Sequence, residues 1–308
     1  MSNHVLGKNQ NRKENLKKRT GLLHQMKAEM PQYKELLDFY EPVLEERKKF
    51  KSALRESLHP NIADDPGYYQ LQLEKHIPLV AKTDVQFDNK VMIDHLIKLL
   101  QILRARTQNV PGIFLDRITR NKNFSFEAIF NESFLSDAAS TSKESMPAEL
   151  IDFLVNEMIN PVLEIYAEKI RDQIELRTWD RGICPVCGEK PALAALTKDE
   201  GKRILICSSC STEWKFSRIK CPYCGNHDQQ QMSYLLIEKD EKYRIELCDG
   251  CRRYLKTIDL RKTTHDVCYD IENIITCHLD IIALNKGYSD RYPLAPPAVQ
   301  CESRNFIH

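Results

Sequence analysis

Eight of the eleven cysteines in this 308-residue chain fall in four CxxC pairs: Cys184/Cys187, Cys207/Cys210, Cys221/Cys224 and Cys248/Cys251. The first 183 residues contain none. A CxxC turn places two sulfurs on one side of a tight backbone knuckle, and two knuckles complete a tetrahedral set of thiolates for one soft-to-borderline metal ion. Pro185 and Pro222 preset the two opening turns, while Gly188 and Gly225 supply the positive φ that aims backbone N–H groups at sulfur. A thioredoxin-like dithiol needs one CxxC at a helix start in a βαβ setting, which is missing here. Metal is therefore the reading preferred over disulfides.

The segments around the pairs repeat. Cys184-Pro-Val-Cys187-Gly188 leads through Leu193 and Leu196 to a polar turn at Lys198–Lys202, the strand-like Ile204-Leu205-Ile206, and Cys207-Ser-Ser-Cys210. Cys221-Pro-Tyr-Cys224-Gly225 leads to a strand at Met232–Ile237, a turn at Glu238–Lys242, a strand at Tyr243–Leu247, and Cys248-Asp-Gly-Cys251. The opening pairs are 37 residues apart and the closing pairs 41, so the second hairpin is four residues longer. Each hairpin returns to its own opening knuckle. This assigns Cys184, Cys187, Cys207 and Cys210 to one centre and Cys221, Cys224, Cys248 and Cys251 to the other. Zinc would staple units too small to fold on their own cores, whereas iron would give a rubredoxin-type centre able to pass one electron; four thiolates accept either. A closed four-cysteine set leaves no open position for metal-bound water, so hydrolysis is not expected.

Elements that position these units follow from periodicity. Residues 1–30, with Lys8, Arg12, Lys13, Lys17, Lys18 and Arg19, read as a basic flexible terminus. Residues 31–180 read as a helical domain. In it, Leu36, Leu37, Tyr40, Val43, Leu44 and Phe50 recur at helical steps, with a break expected at Pro42. His59–Gly67 reads as a loop. A helix over Asn89–Thr107, capped by Asp88 or Asn89, aligns Val91, Leu96, Ile97, Leu100 and Leu103. Ser136–Ser145 is small and polar, a mobile connection, and a further helix from about Pro147 to Ile170 is expected to kink or divide at Pro161. Residues 181–220 and 221–262 form the two metal units, and 263–308 a helix over Asp266–Lys286 ended by Gly287, then a Pro-containing tail. The expected fold class is α+β: a helical domain, two tandem rubredoxin-like or zinc-ribbon hairpin units, and a C-terminal helix.

Charge and composition exclude several classes. Forty-five Lys plus Arg against 44 Asp plus Glu leave +1, and no apolar run is long enough to span a membrane or start a secretion signal. A cytoplasmic location is therefore expected. GxGxxG, GxxxxGKS/T and HExxH are absent, and no charged constellation reads as catalytic, so the expectation is a non-enzyme. Between Arg181 and Lys262, sixteen Lys plus Arg exceed eleven Asp plus Glu by five. Eight thiolates and two dications bring that sum to about +1, so much of the basic charge balances sulfur. A nucleic-acid face of Lys215, Arg218, Lys220, Arg252 and Arg253 with Trp214, Phe216, Tyr243 and Tyr254 is the alternative, but Trp214 and Phe216 alternate as strand residues of a small core would. Cys268, Cys277 and Cys301 read as packing or incidental thiols, His227 as an exposed turn residue, and Asp270, Glu272 and Asp280 as a solvated or partner-facing helix surface.

The segments CPVCGEKP, CSSCSTEWKFSRIKCPYCG, CDGCRRYLKT and LDIIALNKGY, in that order over residues 181–289, resemble the formate dehydrogenase accessory protein family, FdhE. Glu213-Trp214, Arg218-Ile219-Lys220, Tyr254-Leu255-Lys256, Leu279-Asp280 and Gly287-Tyr288 are the most specific parts of the likeness. Many members carry His after the Trp, where this chain has Lys215. The resemblance implies a cytoplasmic, non-enzymatic maturation factor that binds the catalytic subunit of a molybdenum or tungsten formate dehydrogenase. It also implies rubredoxin-like iron centres built from the eight paired cysteines. A nucleic-acid-binding zinc ribbon and a small electron carrier are the competing functions.

Overall fold

Apolar residues at three- and four-residue steps wind α2, Lys34–Ser57, and bury Leu36, Leu37, Tyr40, Val43, Phe50 and Leu54 along one stripe. The structure, a computed structural model, describes residues 12–63, 65–81, 85–107, 112–120, 148–176, 179–237, 240–264 and 267–289. The basic stretch expected to be flexible is helical from Arg12, as α1 (Arg12–Glu29), because Leu23 and Met26 give it a buried foothold beside α2. Lys8, the 136–145 connection, Pro147, the tail prolines and Cys301 lie outside the described residues.

The expected loop ends at Asp65, whose carboxylate accepts from the Gly67 N–H at 2.8 Å, and Pro66 opens α3 (Pro66–Glu74). The Asp88 carboxylate likewise accepts from the Lys90 and Val91 N–H groups to start α4 (Asn89–Arg104). A short α5 (Gly112–Arg120) and the long α6 (Ala148–Ile170) complete the helical region.

Neither proline ends its helix. Pro42 lies inside α2 and Pro161 inside α6. Each deprives the carbonyl four residues earlier of its donor. At the first the loss is made good from outside the helix: Arg106, just past the end of α4, donates to the Asp38 carbonyl at 2.7 Å.

His95 is 1% exposed, stacks flat on Phe50 at 3.8 Å between ring centres, and meets Glu46 at 3.3 Å. Burial holds its pKa below the ordinary value, against the pull of Glu46. Glu46 is itself held low: burial opposes ionisation, but the His95 hydrogen bond and Lys98 outweigh it. Both groups therefore contribute stability that is present above their unfolded pKa values and lost as pH falls. We expect the urea midpoint of the helical region to fall as pH drops below about 6.5, and a His95→Phe variant to flatten that fall. An unchanged pH profile in the variant would contradict this.

The cysteine region is one six-stranded sheet: β1 (Pro191–Leu196), β2 (Arg203–Cys207), β3 (Glu213–Lys215), β4 (Met232–Leu236), β5 (Tyr243–Cys248) and β6 (Arg253–Asp259), in the order β3-β2-β1-β6-β5-β4. The expected hairpins β1/β2 and β4/β5 are present, and each gains a third antiparallel strand. The two units fuse through a parallel pair, β1 on β6, from Leu193↔Lys256 to Leu196↔Asp259.

Alternation sorts the sheet's side chains. Ala194, Leu205 and Leu255 join the core of the helical region, whereas Leu193, Ala195, Ile206, Tyr254 and Ile258 form a second core with Leu279 and Ala283. The expected single C-terminal helix is two, α7 (Tyr269–Ile275) and α8 (Cys277–Asn285). They divide at Thr276, whose hydroxyl bonds back to the Glu272 carbonyl at 2.7 Å. The break lets α7 serve the first core and α8 the second. Among the described residues, no helix is long and apolar enough to cross a membrane.

Candidate metal centres

Each unit brings its four thiols together. All sulfurs of Cys184, Cys187, Cys207 and Cys210 lie within 4.8 Å of one another, and so do those of Cys221, Cys224, Cys248 and Cys251. The nearest pairs are 3.4 Å apart in the first group (Cys184–Cys210, Cys187–Cys207) and 3.8 and 3.7 Å in the second (Cys221–Cys251, Cys224–Cys248). A metal–sulfur length of about 2.3 Å in a tetrahedron sets sulfurs about 3.8 Å apart, while a disulfide needs about 2.05 Å. The second group is already at metal spacing and the first slightly tighter, so both donor sets suit one ion each.

All four knuckles share a backbone device. Residues after the second cysteine have φ of +76° at Gly188, +56° at Ser211, +76° at Gly225 and +54° at Arg252. The turn closes the same way at both openings, with Gly188 N–H donating to the Cys184 carbonyl and Gly225 N–H to the Cys221 carbonyl, each at 3.0 Å. Within knuckle two, the N–H groups of Ser209 and Cys210 point at the Cys207 sulfur at 3.4 and 3.5 Å. Such donors stabilise thiolate charge. Only the two glycines were readable in advance, because Ser and Arg do not advertise a left-handed residue.

Burial pushes the Cys184 and Cys207 thiols up. Cys210 is buried too, yet hydrogen bonds from its neighbour thiols and from Thr212 bring it down. In the second group burial raises Cys251 to about 11, while backbone and thiol hydrogen bonds hold Cys248 low against burial. Burial thus favours the proton on Cys184, Cys207 and Cys251, an electrostatic condition that a dication among the sulfurs would reverse.

The surroundings of the two groups differ. The first is walled by the helical region. Leu79 and Val80 N–H groups donate to the Pro185 and Val186 carbonyls at 3.1 and 2.8 Å, strapping knuckle one. Asn160 and Glu164 of α6 reach the Ser208 carbonyl and the Ser211 hydroxyl, each at 3.4 Å, over knuckle two. Glu164 also belongs to a ladder in which Arg47, Lys51 and Arg55 of α2 meet Glu157, Glu164 and Glu168 of α6. This ladder was not foreseen from sequence, since its partners are over a hundred residues apart.

The second group sits at the rim. Cys224 is exposed and Cys251 half-buried. Tyr223 donates to the Pro191 carbonyl at 3.3 Å, and Tyr288 to Asp249 at 2.6 Å beside knuckle four. Knuckle three rests directly on Gly182, where an added Cβ would lie 1.8 Å from the Pro222 carbonyl oxygen. Gly182→Ala should therefore push the knuckle away, costing about 3 kcal/mol and weakening ion binding at the second group alone. Thermal unfolding and ion content measure both.

The candidates set aside from the sequence are placed as follows. Trp214 and Phe216 are 2% and 7% exposed, and Tyr243 and Tyr254 are buried, so none offers a stacking face. His227 is exposed and joins neither thiol group. Cys277 is buried and Cys268 half-buried, both against the first core. The solvated surface expected of Glu272 and Asp280 is a correction: both belong to packed networks. Glu272 is 1% exposed and accepts from the Tyr243 hydroxyl. Asp280 takes Lys256 at 2.8 Å and Tyr254 at 2.9 Å. Buried Lys256 and Tyr243 on the sheet need these acids opposite them.

A further polar residue missed by sequence reasoning is Arg203 of β2, 2% exposed. It binds Glu246 of β5 at 2.6 Å, donates to the Ser217 and Lys220 carbonyls in the link between units, and covers the Phe216 ring at 5.2 Å. It ties the first unit to the second at the start of knuckle three.

Residues 183–218 match the family model "FdhE, central domain", a span that holds all four thiols of the first group. The chain is 27% identical over 266 residues to a protein FdhE homolog of Aquifex aeolicus, an alignment covering 85% of this chain and 88% of that one. It is 32% identical over 164 residues to a homolog from Pseudomonas aeruginosa, covering 49% and 52%. The fold is that of the crystal structure of the FdhE protein from Pseudomonas aeruginosa, with a TM-score of 0.57 and 21% identity over 91% of this chain and 95% of that one. Family model, curated relatives and fold thus agree with the motifs: over most of its length the chain is similar to the FdhE proteins.

Proposed function

We propose that this chain is a formate dehydrogenase accessory protein, a non-enzymatic factor that binds the enzyme's catalytic subunit in the cytoplasm and assists its maturation. Each four-cysteine group holds one ion, iron in a rubredoxin-type centre or zinc. Cys184, Cys187, Cys207 and Cys210 ligate the first ion, and Cys221, Cys224, Cys248 and Cys251 the second. The observation that carries this reading is the pair of preassembled four-thiol groups in a chain similar to FdhE proteins over most of its length. The nucleic-acid reading is disfavoured by the burial of Trp214, Phe216, Tyr243 and Tyr254, which removes the aromatic platform that single-strand binding uses. An electron-carrier role requires iron.

Affinity capture from cells grown on formate, with metal analysis under air-free conditions, tests the proposal. The catalytic subunit should co-purify with a chain holding two ions. Capture of nucleic acid in its place, or a folded chain that never binds an ion, overturns it.

A further inference from the structure

The two thiol groups share one local design but not one environment. The first has every sulfur buried, Cys184 at 0% and Cys210 at 1% exposure, and is part of the core that also holds Leu37, Leu96 and Val162 of the helices. Both its knuckles are covered, one by the Leu79-Val80 strap and the other by α6. In the second, Cys224 is open to solvent, Cys251 is half open, and Asp249, Gly250 and Arg252 of knuckle four are exposed. Cys224 belongs to neither buried core.

From this contrast, and resting on the metal-holding reading above, we infer that the second centre is an exchange site: its ion passes through Cys224 to an incoming soft donor, while the first ion stays locked in the folded chain. The donor is a thiolate, from a small molecule or a cysteine of a partner protein. Exchange is associative. The incoming sulfur forms a bond to the ion, the bond from the ion to Cys224 Sγ breaks, and the released Cys224 thiolate takes a proton from solvent. No electron moves and the ion keeps its charge. Successive steps at Cys251 and then at the more enclosed Cys248 and Cys221 complete the transfer. At the first centre no sulfur can be reached without lifting α6 or the strap, which opens the shared core, so exchange there is tied to global unfolding.

The test uses the full chain loaded with two zinc ions. A chromophoric chelator, 4-(2-pyridylazo)resorcinol, should take one equivalent quickly and the other at least ~10-fold more slowly, at a rate that follows global unfolding. Iodoacetamide, quenched at intervals and mapped by mass spectrometry, should label Cys224 before any of Cys184, Cys187, Cys207 or Cys210. A Cys224→Ser variant should lose the fast equivalent and keep the slow one. Release of both ions in a single phase overturns the inference, as does labelling of a first-centre cysteine as early as Cys224. Those outcomes leave the two-ion reading standing. A folded chain that takes up no zinc overturns both.

Discussion

Replacing Cys184 by Ser is expected to abolish cooperative unfolding of the helical region as well as the first metal unit. Cys184 is fully enclosed and continuous with the core of α2, α4 and α6. A structural zinc site contributes on the order of 10–16 kcal/mol of binding free energy in small peptides, against a whole-domain stability of about 5–15 kcal/mol. On the proposed two-ion reading, losing the first ion would outweigh what the helices hold in reserve. It would also leave three enclosed sulfurs with no ion to draw them together, beside the backbone bonds from Leu79 and Val80 to knuckle one. The same substitution at Cys224 changes a proposed ligand at the rim and should leave the helical transition intact. Circular dichroism melts of the two variants, set beside the parent, measure the contrast. Equal losses would show that the helices do not depend on the first centre more than on the second.

Arg203→Ala is expected to destabilise the chain by about 3 kcal/mol. The guanidinium is enclosed, and its removal strands the Ser217 and Lys220 carbonyls together with one oxygen of Glu246. Arg244 still reaches the other Glu246 oxygen, which keeps the loss toward the lower end of the range for a broken buried pair. A double variant, Arg203→Met with Glu246→Leu, should recover a large part of it, because an apolar pair carries no desolvation cost. Urea unfolding at fixed pH decides the matter. A loss below ~0.5 kcal/mol would place Arg203 among ordinary surface substitutions.

The thiol groups were legible because CxxC pairs advertise their chemistry locally, and the repeat told which pair returns to which. β1/β2 and β4/β5 followed from the hairpins between the pairs. The third strand of the first unit showed in the alternation of Trp214 and Phe216, but that of the second unit did not. β6 carries Lys256, Thr257 and Asp259 among its buried positions, so its polar letters hide a central strand, and it takes Asp280 and the Asn273 carbonyl to explain the lysine. The fusion of the units through β1 and β6 depends on two segments distant in sequence, and no local pattern encodes it. Glu272 did carry a readable clue: it shares its helical face with Ile275, three residues on and buried. An acid on an apolar stripe predicts a buried partner. Pro42 misled because the donor that takes up the freed Asp38 carbonyl, Arg106, comes from elsewhere in the chain.

The parallel seam has a consequence for biosynthesis. β1 is finished long before the ribosome has delivered β6, and Leu193 must wait for Lys256, about 60 residues downstream, to complete its ladder. During that interval the four thiols of the first unit can already be gathered, while one flank still offers unpaired N–H and C=O groups to any neighbouring nascent chain. Translation that stops short of Asp259 should thus give polypeptides that stick edge to edge, even with a fully formed first centre.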